Sequence, residues 1–553
     1  MTYPALKVAI VGGGVSGLSL AYYLRRHGAE PSRQLDITIF ERKASLGGNA
    51  ETVVVDLGIR RTEQGPDSHY LRWADLGVND VNLTTYKKLE AIMREIGYLD
   101  HMKPLQDTES YFTRDGRLAL TDDTYLQQGV SDPTFSLDAA DDGLLAPLIQ
   151  VVHRTALNLL DSITPSYTVG AYFDDCVARP REMLEAAARE LGISINWADA
   201  SLPARVESVR TLIYYPRIAA MYFADDRGPA EMPLEAPFQY YRVQEGGGEP
   251  RRRYFEYGAQ RWLEALAAYL VEPDDTKPPV TIRRHADIRV RIEPGKAVLS
   301  DEYGWSESFD LVIVATHADD ARRIVTLSDE LMSIRERLDA ILGAVRYTRS
   351  YAVCHTASGR LPPNKNVWRT YNIEIRDPGD TFFPYRIDYV ANLHQNDPAN
   401  PVYDSAGLPQ YFVSLVNDLN CIPRQEMLDK VLDPTRLPKE MLDRLPESTR
   451  VQMHEGLHES GYKSELPDID EDLHRKAWTY FKHNVLDARC IQAQRDIDRY
   501  NAEVAHAYRQ GQASWPLLFA GGWTRGAGLQ EQCMEQAERL SNWILGREEP
   551  PLK

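Results

Sequence analysis

The stretch from Lys7 to Gly28 limits the fold more than any other. Lys7-Val8-Ala9-Ile10-Val11 reads as a short buried strand that runs straight into Gly12-Gly13-Gly14-Val15-Ser16-Gly17. Val15 to His27 then carries a helical pattern, with Gly28 placed to stop it. Strand, glycine turn and helix in that order open a βαβ unit of the dinucleotide-binding kind. Gly12 permits the tight turn, Gly14 lets backbone approach a pyrophosphate, and Gly17 lets helix and strand pack closely. Val15 and Ser16 complete the turn, where unpaired N–H groups and the partial positive charge of the helix end face an anion.

A second strand is expected at Asp36-Ile37-Thr38-Ile39-Phe40, ending in Glu41 and Arg42. Glu41 lies 24 residues beyond Gly17, the distance at which an acid accepts hydrogen bonds from adenosine ribose hydroxyls. With strand, helix, second strand and acid all in register, a glycine turn without a ligand is a poor account of the segment.

Beyond Glu41 the spacing is E-x5-G-G, with the pair at Gly47 and Gly48 followed by Asn49. From here the chain resembles the large flavoprotein group that contains amine oxidases, phytoene desaturases and protoporphyrinogen oxidases. The resemblance implies FAD as cofactor, with the second glycine pair passing the pyrophosphate. Asn49 stands where many amine oxidases carry an Arg. Two later segments strengthen the likeness. Phe309-Asp310-Leu311-Val312-Ile313-Val314-Ala315-Thr316 is an acid-led strand after a hairpin-like region, with Ile288 on one strand and Val298 on the next. In the group it resembles, backbone near Ile288 holds the adenine edge and the Ala315-Thr316 end packs beside the nucleotide. Pro516 to Phe519 is a strand leading to Ala520-Gly521-Gly522-Trp523-Thr524, then Gly526, Gly528 and a helix from about Leu529 to Leu545. The resemblance implies that Gly521, Gly522, Leu529 and Gln530 aim N–H groups and a helix dipole at the flavin. Many relatives carry an acid at the position of Gly522.

Further blocks resemble a family of bacterial amine-oxidase-like FAD proteins. They are Asp75-Leu76-Gly77-Val78-Asn79 with Tyr86, Gly258-Ala259-Gln260-Arg261 with Leu266, and Ala315-Thr316-His317-Ala318-Asp319. His355-Thr356 with Leu361-Pro362 and Trp368, then Phe481 with His483 and Gln494, continue the series in order. By this likeness Gly77 and Val78 join the cofactor residues. The likeness carries little substrate information. The chain departs from it in extra length between Ala50 and Asp75 and in a polar stretch from about Asp107 to Asp142.

The expected fold class is α/β: a discontinuous Rossmann-type FAD-binding domain with an interleaved α+β substrate domain. The expected boundaries are 1–100, 241–324 and 471–553 for the first, and 101–240 and 325–470 for the second. In the second, Leu144–Ile163 and Arg179–Leu191 have helical patterns, Tyr351–His355 and Tyr411–Val416 read as strands, and an acid-rich helical part is expected around Arg424–Leu445. Gly246-Gly247-Gly248 follows no strand and reads as a loop, so no second nucleotide fold is visible.

A net charge of −18 argues against nucleic acid as a partner, and Arg251-Arg252-Arg253 reads as a solvated loop. Five scattered cysteines without a C-x-x-C pair fit a reducing, cytoplasmic setting rather than disulfides or zinc. No run of apolar residues is long enough for a transmembrane segment. No metal site, paired carboxylates or Ser-His-Asp order stands out. No flavin-attachment motif is present, so noncovalent FAD is expected; the partner is a small-molecule substrate, and a homodimer is compatible with the chain. Trp523, Asn79 and His317 are the catalytic candidates, against plain roles as core, turn and helix cap respectively. His355 and His483 read as structural histidines. The flavin would carry the redox chemistry. One reading is hydride removal from a small organic substrate, an amine or amino acid. The alternatives are a redox-neutral double-bond isomerase or desaturase acting on a polyunsaturated lipid, and a non-catalytic FAD-binding protein.

Overall fold

Strands buried on both faces read as unbroken apolar runs, and these organise the centre of the molecule. The structure, a computed structural model, describes residues 5–28, 34–60, 68–105, 108–113, 119–121, 145–164, 166–222, 228–246, 251–274, 277–363, 365–375, 385–395, 410–431, 470–511 and 515–547. The central elements are β1 (Leu6–Val11), α1 (Val15–His27), β2 (Leu35–Phe40), β3 (Thr281–Arg283), β4 (Leu311–Val314), β5 (Leu517–Phe519) and α2 (Gln530–Leu545). They form a parallel sheet in the order β3-β2-β1-β4-β5. Val8, Ile10 and every residue of β4 are fully buried.

From β1 the chain moves to β2 on one side, and much later to β4 on the other. The resulting switch point between β1 and β4 is where open α/β sheets bind ligands, beyond the carboxyl ends of the strands. Register brings those ends level: Val11 faces both Phe40 and Val314, and Val314 faces Phe519. The ladder continues one step further, with Gly12 N donating to Phe40 O at 2.8 Å and Ala315 N to Val11 O at 2.8 Å. Helices α1 and α2 pack together on one face of the sheet, and their first turns start at the same edge.

A seven-stranded sheet forms the second layer, in the order Trp478–Asn484, Tyr347–His355, Phe412–Val416, Tyr385–Val390, Tyr371–Ile375, Glu109–Thr113, Ala119–Thr121. Helices Leu145–Leu159, Val169–Ala178, Pro180–Glu190, Leu202–Val209, Tyr215–Tyr222 and Glu235–Gly246 make a separate helical part. The extra length after Ala50 is a pair of antiparallel strands, Thr52–Arg60 and Ser68–Asp75. Of the polar stretch after Asp107, only two short strands lie within the described residues.

Several sequence expectations need correction. Arg251–Arg253 is not a solvated loop: Arg252–Phe255 is a strand between Asp80–Asn82 and Met102–Pro104. Exposed Arg251 pairs with Glu90 and Arg252 with Asp80, so neighbouring acids neutralise two of the three charges. Ile288 lies just before strand Arg289–Glu293 rather than on it. Gly246 closes a helix, and Gly247 and Gly248 lie outside the described residues. Arg424–Glu426 is a single 3-10 turn, and the remainder of that expected helix, from 432, also lies outside them.

Candidate functional site

A cleft of about 220 Å³ opens at the carboxyl edge of the parallel sheet. Its floor is the glycine turn after β1. Gly12 has φ +118°, a conformation that side chains rarely adopt, and a Cβ there would lie 2.6 Å from Ala315 O. Gly14 differs: its nearest neighbour is Gly48 Cα, 3.7 Å from where a Cβ would stand. The two glycine loops are tied by Gly47 N donating to Gly13 O at 3.0 Å. Between them lies a bare backbone cradle at the N-terminus of α1, the shape and polarity a phosphate needs.

Of the residues expected to hold a cofactor, Gly12, Gly14, Val15, Ser16, Glu41, Arg42, Gly47, Gly48, Asn49, Val78, Ile288, Ala315, Thr316, Gly522 and Gln530 line this cleft. Gly17, Gly77, Gly521 and Leu529 do not. Gly17 and Gly521 serve close packing: added Cβ atoms would meet Gly12 O at 2.0 Å and Thr316 O at 2.4 Å. Gly77 lies against Asn49 O, 1.8 Å from its would-be Cβ, and with Leu529 lines a second cavity instead. Glu41 is already engaged, its carboxylate accepting from Gly13 N and Lys43 N at 2.8 Å each. It therefore braces the glycine turn and keeps further lone pairs for a ligand.

The C-terminal wall is less direct than a Gly pair entering a helix. Gly522–Thr524 is a 3-10 turn, and α2 begins only at Gln530. Gln494 holds the intervening loop, donating to Trp523 O at 3.0 Å and Gly526 O at 2.7 Å, and accepting from Gly526 N at 3.0 Å. That loop buries Trp523 in the cleft wall. Trp523 Nε1 and both side-chain amide atoms of Gln530 are buried and have no hydrogen-bond partner among the described residues. Buried polar atoms left unmatched are uncommon in native chains. Their presence in this wall fits a polar ligand.

His317 precedes helix Ala318–Ile324 and lines the cleft, its ring against Tyr347 and its Nδ1 3.4 Å from Asp320 Oδ2. Lys482, which sequence reasoning did not single out, is buried beside it and donates to Asp319 Oδ2 at 2.8 Å and Asp320 Oδ2 at 3.1 Å. Burial opposes the Asp320 charge, but hydrogen bonding to His317 and the Lys482 ammonium hold the carboxyl below its ordinary range. His483, adjacent to Lys482, is also in the wall. Burial lowers its imidazole to about 4 against the opposing bond to the Asn484 carbonyl, so the ring is neutral at ordinary pH.

A second cavity of about 270 Å³ adjoins the first. Asn49, Val78, His483, Gly528 and Gln530 line both. Asn79, the third catalytic candidate, is here, hydrogen-bonded to Tyr389. Five tyrosines dominate the wall: Tyr86, Tyr240, Tyr241, Tyr371 and Tyr389. Burial pushes the phenols of Tyr86 and Tyr389 up. The charged side chains come in opposite pairs. Arg252 Nη2 lies 2.8 Å from both oxygens of Asp80, which also accepts from Tyr371. Burial opposes the Asp80 charge, yet Arg252 and His394 hold the carboxyl well below its usual range. Arg217 lies 4.0 Å from Glu109 and over the Tyr241 ring at 4.8 Å. Arg217 arrives on the helix that follows a π turn at Arg210–Tyr214. The block containing Asn79 and Tyr86 pointed toward this cavity; nothing local marked Arg217 or Tyr371.

Residues 10–96 match the family described as NAD(P)-binding Rossmann-like domain. Over 61 residues the chain is 39% identical to coproporphyrinogen III oxidase of Bacillus subtilis (strain 168), a match covering 11% of this chain and 13% of that protein's length. Among solved structures, the CLA-producing fatty acid isomerase from P. acnes superposes with a TM-score of 0.51 at 13% identity, covering 97% of each chain. Cyclohexylamine oxidase from Brevibacterium oxydans IH-35A gives 0.49 at 12% identity, covering 98% of this chain and 99% of that one. The chain is thus an α/β protein with a Rossmann-like dinucleotide site at its start. Its overall fold is the one seen in the isomerase.

Proposed function

We propose that the chain is an FAD-dependent oxidoreductase that removes a hydride from a small organic substrate, an amine or amino acid. One observation carries the reading: a cleft floored by glycine turns and a cavity bearing five tyrosines meet at five shared residues. A cofactor in one and a substrate in the other would touch only there.

The glycine turn and the start of α1 would hold the pyrophosphate, with Gly47 and Gly48 opposite. Glu41 and Arg42 would face the adenosine end. Thr316, Gly522, Gly528 and the start of α2 would surround the ring end. Bound there, FAD would supply the hydride acceptor. Cys533 in the cleft wall is pushed up to about 11 by burial, against the opposing bond from Ser16, so it remains a thiol. That supports noncovalent binding.

Electron-rich ring faces suit an alkylamine or its ammonium form, and His483 stands neutral at the junction, adding no positive charge to repel an ammonium. A polyunsaturated chain would want a continuous apolar tunnel. This wall sets phenols and two ion pairs among aliphatic side chains such as Met221, Ile373, Ile387 and Leu415, and the polar groups support the amine reading. We assign 1–100, 241–324 and 471–553 to the FAD-binding part and 101–240 and 325–470 to the substrate part. Strand Trp478–Asn484 joins the seven-stranded sheet and serves both cavities. Among the described residues no helix is long and apolar enough to cross a membrane.

The test is anaerobic mixing of the purified, FAD-loaded chain with a panel of amines, amino acids and unsaturated fatty acids. Lasting loss of the yellow band with an amine is the expected result. Product without bleaching would replace oxidation by isomerisation, and a flavoprotein inert to every compound would favour the non-catalytic alternative.

A further inference from the structure

Gln530 is the first residue of the 16-residue helix α2, is 3% exposed, and lines both cavities. Neither its Oε1 nor its Nε2 has a hydrogen-bond partner among the described residues. Leaving both ends of a buried amide unmatched is costly, so the arrangement makes sense when a ligand completes it. Position indicates which part of the ligand. Gln530 stands at the junction of the two cavities, whereas Glu41, Arg42 and Ile288 line the first alone; on the FAD reading they would face the adenosine and Gln530 the reacting ring.

We propose that the Gln530 side chain recognises the pyrimidine edge of the flavin ring. The inference rests on the FAD reading above. That edge carries an N–H between two carbonyl oxygens. A carboxamide presents an acceptor and a donor side by side in one plane, so Oε1 accepts from the ring N–H while Nε2 donates to a neighbouring carbonyl. Gln530 has the rotational freedom to turn its amide to suit, and the backbone N–H groups of the first turn of α2 add positive potential at the same carbonyl edge. Trp523 Nε1 is the other orphaned donor of this wall. Gln530 is in this account a positioning residue: it fixes how the ring faces the substrate cavity.

The experiment compares FAD with its N3-methyl analogue, in which the ring N–H is replaced. Dissociation constants are measured by visible absorbance with the apoprotein of the wild type and of Gln530→Ala. Wild type should prefer FAD by about tenfold or more, equivalent to about 1.4 kcal/mol. In Gln530→Ala the preference should shrink to within about threefold, with FAD itself bound about tenfold more weakly. Equal affinity of wild type for the two flavins overturns the proposal without any variant, so a misfolded mutant cannot shield it. Unchanged FAD affinity in Gln530→Ala with a raised KM for substrate would move the amide to the substrate instead and also overturns it. A wild type that takes up no FAD at all would remove the functional reading itself, a result distinct from loss of flavin discrimination.

Discussion

The two cavities are built from different materials. The cleft at the sheet edge has a floor of bare backbone, with glycines at 12, 14, 47, 48, 522 and 528 and the first turns of two helices, beside side chains such as His317, Lys482 and Trp523. The neighbouring cavity is walled by side chains drawn from strands and helices far apart in sequence: tyrosines, paired charges and aliphatic residues. Backbone N–H groups suit an invariant, phosphate-bearing ligand because every residue type carries them. Side chains suit a ligand that must be told from its analogues. On the proposed function, the cleft would be the cofactor half of the site and the cavity the selective half.

The contrast can be broken most forcefully within the glycine turn. Gly17→Val forces a side chain into Gly12 O and should cost more than about 4 kcal/mol, seen as loss of the cooperative thermal transition. Gly14→Val meets only the cradle, so the apoprotein should melt as wild type does while FAD uptake falls below detection. Yellow, fully loaded Gly14→Val protein would mean that the phosphates lie elsewhere.

In the selective half, Asp80→Ala strands Arg252 in the wall and should destabilise by about 3 kcal/mol. FAD affinity should hold while KM rises; a parallel loss of FAD affinity would erase the distinction between the halves. His483 sharpens the contrast through pH. Its folded pKa of about 4 lies below the ordinary 6.5, so the folded state resists protonation. The stability difference between wild type and His483→Gln should be full above pH 6.5 and decline by about 2–3 kcal/mol as pH falls to 4. Urea titrations at several pH values measure it, and a flat difference would contradict the buried, neutral ring. The smallest effect is expected for Glu41→Ala, which removes an acceptor from the glycine turn and from any ribose. FAD affinity should weaken by roughly 1.5–3 kcal/mol, read by fluorescence titration.

Much of the cleft was legible because its determinants are local. A β-branched apolar run followed by glycines at fixed spacing has few conformational solutions, and helix Val15–His27 appears with the bounds its pattern predicts. Gly17 was marked for close packing of helix and strand, and a Cβ there would meet Gly12 O; Gly77 and Gly521 were marked by likeness as cofactor residues, and in the fold they lie against Asn49 O and Thr316 O. The Arg251–Arg253 run misled because charge alone does not say whether water or an acid will neutralise it. Asp80, 172 residues before Arg252, does so across a strand pair. His483 looked structural in isolation, and only its strand's place between the two cavities makes it a functional candidate.

By itself the sequence determined the parallel sheet, the glycine turns and the order in which distant segments return to it, since those follow from backbone conformation and short-range periodicity. Only the tertiary structure decided which side chains share the second cavity, which charges cancel, and which polar atoms are left facing a ligand. Those depend on distances between residues hundreds of positions apart, and such distances exist only once the chain has closed on itself.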